Sequence, residues 1–242
     1  MRGDFEKRTR LGVVLPSVNT VVEPWFNRVV PNGVSVHAAR MLLADEISAE
    51  ALTRMDAEEG ARALRQLASC RPHAVAYCCT ASSIVAGAGH DDDLMAGIRE
   101  TCGVPGTTAT RAILEALRVL ECTRVIEVSP YTEEIDRAER RFLAAAGITV
   151  VAGGCMGIGD GFLLASPEPE EIRRLAHRHW QHDADAVLIS CLNFRSHEAI
   201  EALEKDFNMP VVTSTQAVLW RVLRLAGVTD RLDGCGRLLR EH

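Results

Sequence analysis

Two cysteines occupy matching places in this chain: Cys79 closes the apolar run AVAYCC (74–79), and Cys191 closes AVLISC (186–191). A thiolate is both a nucleophile and a proton carrier. Two thiols facing one substrate can therefore attack a carbon or move a proton from one face of it to the other. The duplication runs further. GVVLPS (12–17) answers VIEVSPY (125–131), and VPGTTAT (104–110) answers MPVVTST (209–215). Pro16 precedes Cys79 by 63 residues and Pro130 precedes Cys191 by 61. A period of about half the chain is too long for a solenoid. It predicts two copies of a domain-sized unit, with Cys79 and Cys191 on opposite walls of one cleft.

The elements that must hold these residues alternate. Short runs rich in β-branched residues at 11–15, 35–40, 74–78, 125–128, 149–152 and 187–190 predict strands, and Val211 begins another. Their nearly continuous apolar character suits parallel sheets covered on both faces. Helical spacing fills 52–67, 109–120, 133–146, 167–180, 197–207 and 216–225, with Ser166 as a cap before Pro167 and Glu168. Strands alternating with helices mean an α/β architecture. In such sheets ligands sit beyond the carboxyl ends of the strands. Pro16 to Thr20, Cys79 to Ser83, Pro130 to Thr132 and Cys191 to Asn193 all fall there. Their N–H groups and hydroxyls are expected to cradle a carboxylate or enolate oxygen, and the same electropositive setting is expected to lower the pKa of Cys79.

Composition narrows the chemistry. The chain has 242 residues and a net charge of −6, which argues against nucleic acid or an acidic membrane surface as partner. MRGDFEKRTR (1–10) is too charged for a signal peptide, and no apolar stretch reaches the roughly 18 residues of a spanning helix. The expectation is a cytoplasmic protein with reduced thiols. Of its eight cysteines none forms C-x-x-C, and neighbours Cys78 and Cys79 cannot point to one side of a strand, so zinc is not expected. His177, His179 and His182 lie among Arg173, Arg174 and Arg178 and read as an exposed helix face. The glycines of 153–159 do not fit G-x-G-x-x-G. Lys7 and Lys205 are the only lysines, which leaves no candidate for a Walker lysine or a Schiff base.

The segments VVLPSVNTVVE, AVAYCCT, VSPYTEE and LISC, in that order, resemble the maleate isomerase and arylmalonate decarboxylase branch of the aspartate/glutamate racemase superfamily. The resemblance implies two pseudo-symmetric Rossmann-like domains with parallel sheets and the active site between them, no cofactor, no metal, and a homodimer. It implies that the chain crosses back, giving a first half of 1–118 plus 215–242 and a second of 119–214. By the same matching, Cys79 and Cys191 are catalytic, and Asn19, Tyr131, Pro16, Thr80 and Leu192 bind substrate. Decarboxylases of this kind carry glycine where Cys79 stands, so two cysteines point to isomerisation or racemisation. One departure is Gly161, where maleate isomerases tend to have asparagine; it puts maleate itself in question and leaves room for a monocarboxylate, an amide or a bulkier acid.

The expected function is a cofactor-independent isomerase of a small carboxylic acid, of the maleate cis-trans type. The Cys79 thiolate adds to the C=C, an enediolate forms, the C–C bond rotates, and elimination follows. The alternatives are a racemase or decarboxylase using cysteine proton transfer, and a non-catalytic small-acid binding protein. Asn19 has a second reading as a helix cap, and both roles can hold. Tyr131 has one as a packing residue.

Overall fold

Strands buried on both faces need helices on each side, and the chain supplies them by returning through a helix after nearly every strand. The computed structural model describes residues 8–43, 47–87 and 89–242. The charged opening segment therefore lies mostly outside the described residues. The first sheet contains β1 (Thr9–Pro16), β2 (Val34–Met41), β3 (Ala74–Tyr77) and β4 (Gly106–Thr108), in the order β2-β1-β3-β4. The second contains β5 (Arg124–Ser129), β6 (Thr149–Cys155), β7 (Ala186–Ile189) and β8 (Val211–Thr213), in the order β6-β5-β7-β8. All strand pairings are parallel. The two orders are the same path taken twice, so the sequence repeat is a repeat of topology.

Ten helices connect and cover the described strands: α1 (Val22–Val29), α2 (Ala49–Ala68), α3 (Thr80–Ala86), α4 (His90–Cys102), α5 (Ala109–Val119), α6 (Glu133–Ala145), α7 (Pro169–Arg178), α8 (Ile200–Phe207), α9 (Ser214–Leu225) and α10 (Gly236–Glu241). Strand alternation splits the interior into two apolar clusters. Leu11, Val13 and Leu15 face α1, α5, α9 and α10, in one cluster with Val125, Ala186 and Leu188 of the second sheet. Val14, Val75 and Tyr77 face the other way, with α2 and with Ile126, Val128, Val187 and Ile189. Helices α5 and α9 pack on each other, and α9 also lies against β3 and β4 of the first sheet.

Several elements differ from the sequence reading. β4 has only three residues, Gly-Thr-Thr, with no apolar run to announce it. Helices α3 and α4 escape because α3 is a seven-residue turn of small residues and α4 buries only Ile98. Helix α7 begins two residues later than Ser166 implied. Glu168 is its N-cap, closing a reciprocal box with Glu171, and Pro169 takes the first turn. Ser166 instead turns its hydroxyl to Leu163 O at 2.7 Å. The histidine-rich stretch is tied to a neighbouring helix, with His177 Nε2 2.9 Å from Asp206 and Arg173 2.7 Å from the same carboxylate.

Gln216 fixes the start of α9. Its Oε1 accepts from Thr213 N, completing a capping box, and its Nε2 donates to Cys235 O at 2.7 Å. The side chain is fully buried. Gln216→Ala is expected to lower stability by about 1–3 kcal/mol, because it leaves a buried carbonyl and a cap N–H without partners. Urea unfolding measures this, and an unchanged midpoint would refute it.

Candidate functional site

The two sheets turn their carboxyl ends toward one cavity of ≈ 40 Å³. Pro16, Asn19, Cys79, Tyr131, Cys191 and Leu192 all line it, with Val18, Leu43, Ile47, Leu52, Leu164, Gly161 and Asn193 among its other walls, beside Cys78 and Ala81. Of the residues expected from the sequence only Thr80 is not among the lining residues. It sits in the first turn of α3 with its hydroxyl buried and unpartnered. A water needs roughly 10–15 Å³ by this measure, so the cavity as it stands holds a few waters, and a substrate must part its walls.

Cys79 is the N-cap residue of α3, two residues beyond the last residue of β3. Its side chain falls in the cluster of Tyr77 and Val75, whereas Cys78 points into the opposite one, as strand alternation requires. Cys191 follows β7 and holds φ at +85°, a value that residues with a Cβ rarely adopt. The bend brings its sulfur under the Asn193 N–H at 3.3 Å, and the Tyr131 hydroxyl is its side-chain partner. The thiols are close enough for charge on Cys191 to act on Cys79. They meet from the two halves, as the repeat predicted.

The expected lowering of the Cys79 pKa is overturned. Burial pushes the thiol well above its usual range, and the nearby Asp56 carboxylate adds to the rise, against a smaller pull from the Ser82 N–H and hydroxyl. Desolvation wins because the thiol is buried, and the dipole of a two-turn helix does not offset it. Cys191 is pushed up to about 12, again by burial first, with relief from Tyr131 and the Asn193 N–H. Both thiols rest neutral. Burial also raises the Tyr131 hydroxyl, which therefore remains a proton donor.

Asn19 is placed where its helix-start role is visible and where a substrate would lie within reach. Its Oδ1 accepts from Val21 N and Val22 N, each at 3.0 Å, which secures the start of α1, while the residue lines the cavity. Asn193, absent from the expected site residues, joins the halves. Its Oδ1 accepts from Thr20 N at 2.9 Å, and its Nδ2 donates to Gly161 O at 2.8 Å and to Val18 O at 3.3 Å. Its position two residues after Cys191 was the available signal. Asp56 was missed for a different reason. It sits inside helix α2, where an acidic residue normally reads as solvated surface, yet its side chain is only 8% exposed. Its carboxylate accepts from the Tyr77 and Ser82 hydroxyls and from His90 Nε2. Behind Cys191 and Tyr131 lies a second acidic group, Glu127, Asp136 and Glu139, bordered by Arg140. Burial raises Glu139 to about 7.

Residues 11–239 match the arylmalonate decarboxylase family. The maleate isomerase of Nocardia farcinica is 27% identical, with 96% of each chain covered. The arylmalonate decarboxylase of Bordetella bronchiseptica is 30% identical over 67% of this chain and 69% of its own. Among solved structures, a cysteine-to-serine variant of the Nocardia farcinica maleate cis-trans isomerase, with a covalently bound succinylcysteine intermediate, superposes with a TM-score of 0.91 at 25% identity. That superposition covers 97% of this chain and 99% of the other.

Backbone strain at Cys191 and the double duty of Asn19 each give a test. A residue with a Cβ at such a φ costs on the order of 1–3 kcal/mol, which glycine does not. Cys191→Gly is therefore expected to melt at or above Cys191→Ala, reversing the usual order; a lower midpoint for the glycine variant would refute the strain. Asn19→Asp keeps the cap acceptor and loses the amide donor, so its thermal midpoint should stay near that of the parent. Asn19→Ala should lose about 1 kcal/mol of stability. Equal midpoints for the two variants would remove the capping role.

Proposed function

The chain belongs to the arylmalonate decarboxylase family, and we propose that it is a cofactor-independent, two-cysteine isomerase of a small unsaturated carboxylic acid, acting by maleate-type cis-trans isomerisation. The observation that carries this reading is the meeting of Cys79 and Cys191 from opposite halves in one cavity. A decarboxylase that protonates one face needs one thiol, and a second thiol allows addition on one side and proton handling on the other.

In this reading Cys79 adds to the substrate C=C, and the resulting carbanion spreads into the adjoining carboxylate as an enediolate. Asn19 and Tyr131 donate to those oxygens, with Thr80 supplying its unpartnered hydroxyl as the walls part. Pro16 and Leu192 confine the reacting carbons. Rotation about the former double bond and loss of Cys79 give the trans acid. Cys191, held by Tyr131 and the Asn193 N–H, faces the intermediate from the other half and stabilises or protonates it. The covalent succinylcysteine in the Nocardia farcinica relative supports attack by a cysteine on a four-carbon acid.

The far wall favours a second substrate reading. Val18, Leu43, Ile47, Leu52 and Leu164 are apolar, and Gly161 offers no side chain. Asn193 cannot replace the missing amide, since its oxygen and nitrogen are committed to Thr20, Val18 and Gly161. A half-amide or a monocarboxylate with an apolar arm suits such a wall better than a second carboxylate. With the same site go residues 1–118 plus 215–242 and 119–214 as the two halves, which the packing of α9 on the first sheet supports. We also assign the protein to a cytoplasmic homodimer. Among the described residues no helix is long and apolar enough to cross a membrane.

Proton NMR of maleate and maleamate incubated with the protein tests both readings. Fumarate or fumaramate should form with the parent and be reduced at least 100-fold in Cys79→Ser, with maleamate favoured over maleate. Conversion of neither, with both cysteines intact, would reject the isomerase. Cys79→Gly should instead release CO₂ from disubstituted malonates. A folded variant with no such release would mean that pocket residues other than this cysteine separate the two reactions.

A further inference from the structure

A neutral, buried Cys79 must lose its proton before or while it attacks, and a proton released into the cavity would have to leave by the few waters that so small a space can hold. The structure contains a built alternative behind the thiol. Cys79 and Ser82 are the N-cap and third residues of α3, a spacing that places the N-cap side chain beside the third residue. The cap hydrogen bond is not closed, but both the Ser82 N–H and its hydroxyl act on the Cys79 sulfur. Ser82 is fully buried and its hydroxyl bonds Asp56 Oδ2. The same carboxylate accepts from the Tyr77 hydroxyl at 2.5 Å and lies 2.9 Å from His90 Nε2. An ionised carboxylate only accepts, so Tyr77, Ser82 and His90 must all donate. While Cys79 is a neutral thiol, that directs the single proton of Ser82 to Asp56 and leaves the serine lone pairs free to accept from the Cys79 S–H; only toward a thiolate would the same proton turn to sulfur.

We propose that Ser82 and Asp56 form a proton relay that deprotonates Cys79, with Asp56 storing the proton while the covalent intermediate exists. This rests on the reading of Cys79 as the attacking thiol. As the C–S bond forms, the Cys79 S–H bond breaks and its proton passes to Ser82 Oγ. The Ser82 proton passes to Asp56 Oδ2 in the same movement. The sulfur pair makes the new bond, and the C=C π pair becomes the enediolate. Elimination runs the transfers backward and returns the proton to sulfur, so no external acid or base is consumed. Ser82 is the catalytic residue here, since it touches the reacting thiol; Asp56 acts through Ser82, and Tyr77 and His90 position Asp56.

Charge accounting favours the route. Loss of the Cys79 proton to solvent would leave two anions, thiolate and carboxylate, in one buried region, and this repulsion is part of what raises the thiol. Transfer to Asp56 moves one buried negative charge and creates none. The groups that bear on Cys79 are Asp56 from α2, Ser82 from α3, Tyr77 from β3, and Cys191 and Tyr131 from the second half. Those bonded to Asp56 come from β3, α3 and α4. Cys191 lacks the equivalent arrangement: Tyr131 and Asn193 donate to its sulfur, which suits holding charge rather than passing on a proton.

Alkylation of Cys79 by iodoacetamide, mapped by mass spectrometry between pH 6 and 9, tests the relay without a substrate. With a base already bonded through Ser82, the rate in the parent should be nearly independent of pH across about 6 to 8. Asp56→Asn and Ser82→Ala should each cut the rate at pH 7 about tenfold or more and make it rise about tenfold per pH unit, whereas Ser82→Thr should restore the flat profile. If Asp56 acted only as a neighbouring charge, Asp56→Asn would lower the thiol pKa and speed alkylation. That result, or a tenfold rise per pH unit in the parent, overturns the proposal. Ser82→Ala keeps the Tyr77 and His90 bonds and so remains informative if Asp56→Asn fails to fold. A flat profile without conversion of maleate or maleamate would count against the proposed reaction and not against the relay.

Discussion

The site depends on one constraint: two halves are held with their strand ends turned to one small cavity, so that the groups lining it are buried. Asn193 makes that closure specific. It belongs to the loop after β7, yet it accepts from Thr20 beyond β1 and donates to Gly161 and Val18. Every polar atom of its side chain is used, and a buried amide left partly unsatisfied would cost more than its bonds contribute. The geometry therefore has a narrow set of solutions. From this closure follow the burial of both thiols and their neutral resting state.

The two halves share a topology but not an electrostatic design. Cys79 has a carboxylate behind it, reached through a serine. Cys191 has hydroxyl and amide donors at its sulfur, with the buried acids around Glu139 further back. A serine bonded to a carboxylate beside one thiol, and a tyrosine hydroxyl with a backbone N–H at the other, break the symmetry that duplication would leave. The asymmetry fits the duties proposed for the thiols, in which one would surrender a proton to become a nucleophile and the other would meet developing charge on the opposite face. The strained backbone at Cys191 fits the same division, since strain persists where surrounding structure fixes a side chain in place.

Much of this was legible in the chain before its fold. Parallel strands buried on both faces announce themselves as short β-branched runs, and the cysteines stood out because each closed one of two matching runs. β4 and α3 were invisible for the converse reason: Gly-Thr-Thr and Thr-Ala-Ser-Ser carry no period for a buried face to display. Ser166 misled because a Ser-Pro-Glu start and a Glu-Pro-Glu-Glu start overlap, and reciprocal bonding favours the second. The thiol pKa was misjudged because a strand-end position signals N–H donors but says nothing about the water those donors displace. Asp56 could not be found by spacing, since its partners lie 21, 26 and 34 residues away and meet it only through the tertiary fold.

Substrate choice returns to the closure. Gly161 looks in sequence like the loss of one ligand, but it is part of a packed unit. Its carbonyl is held by Asn193, and a Cβ built on it would stand 3.2 Å from Val18 and 3.4 Å from Ile47. Restoring an asparagine there would press on the residues that join the halves, so the change is coupled to Val18, Ile47 and Asn193 together. Among the described residues, that wall presents carbon where a second carboxylate would need donors. A buried polar group without a partner costs roughly 1–3 kcal/mol on protein scales, and an unpaired charge costs more. Under the proposed function, that penalty would amount to about ten- to hundredfold in specificity, enough for the wall to select the uncharged end of an otherwise similar acid while the cysteine chemistry at the other end stays the same.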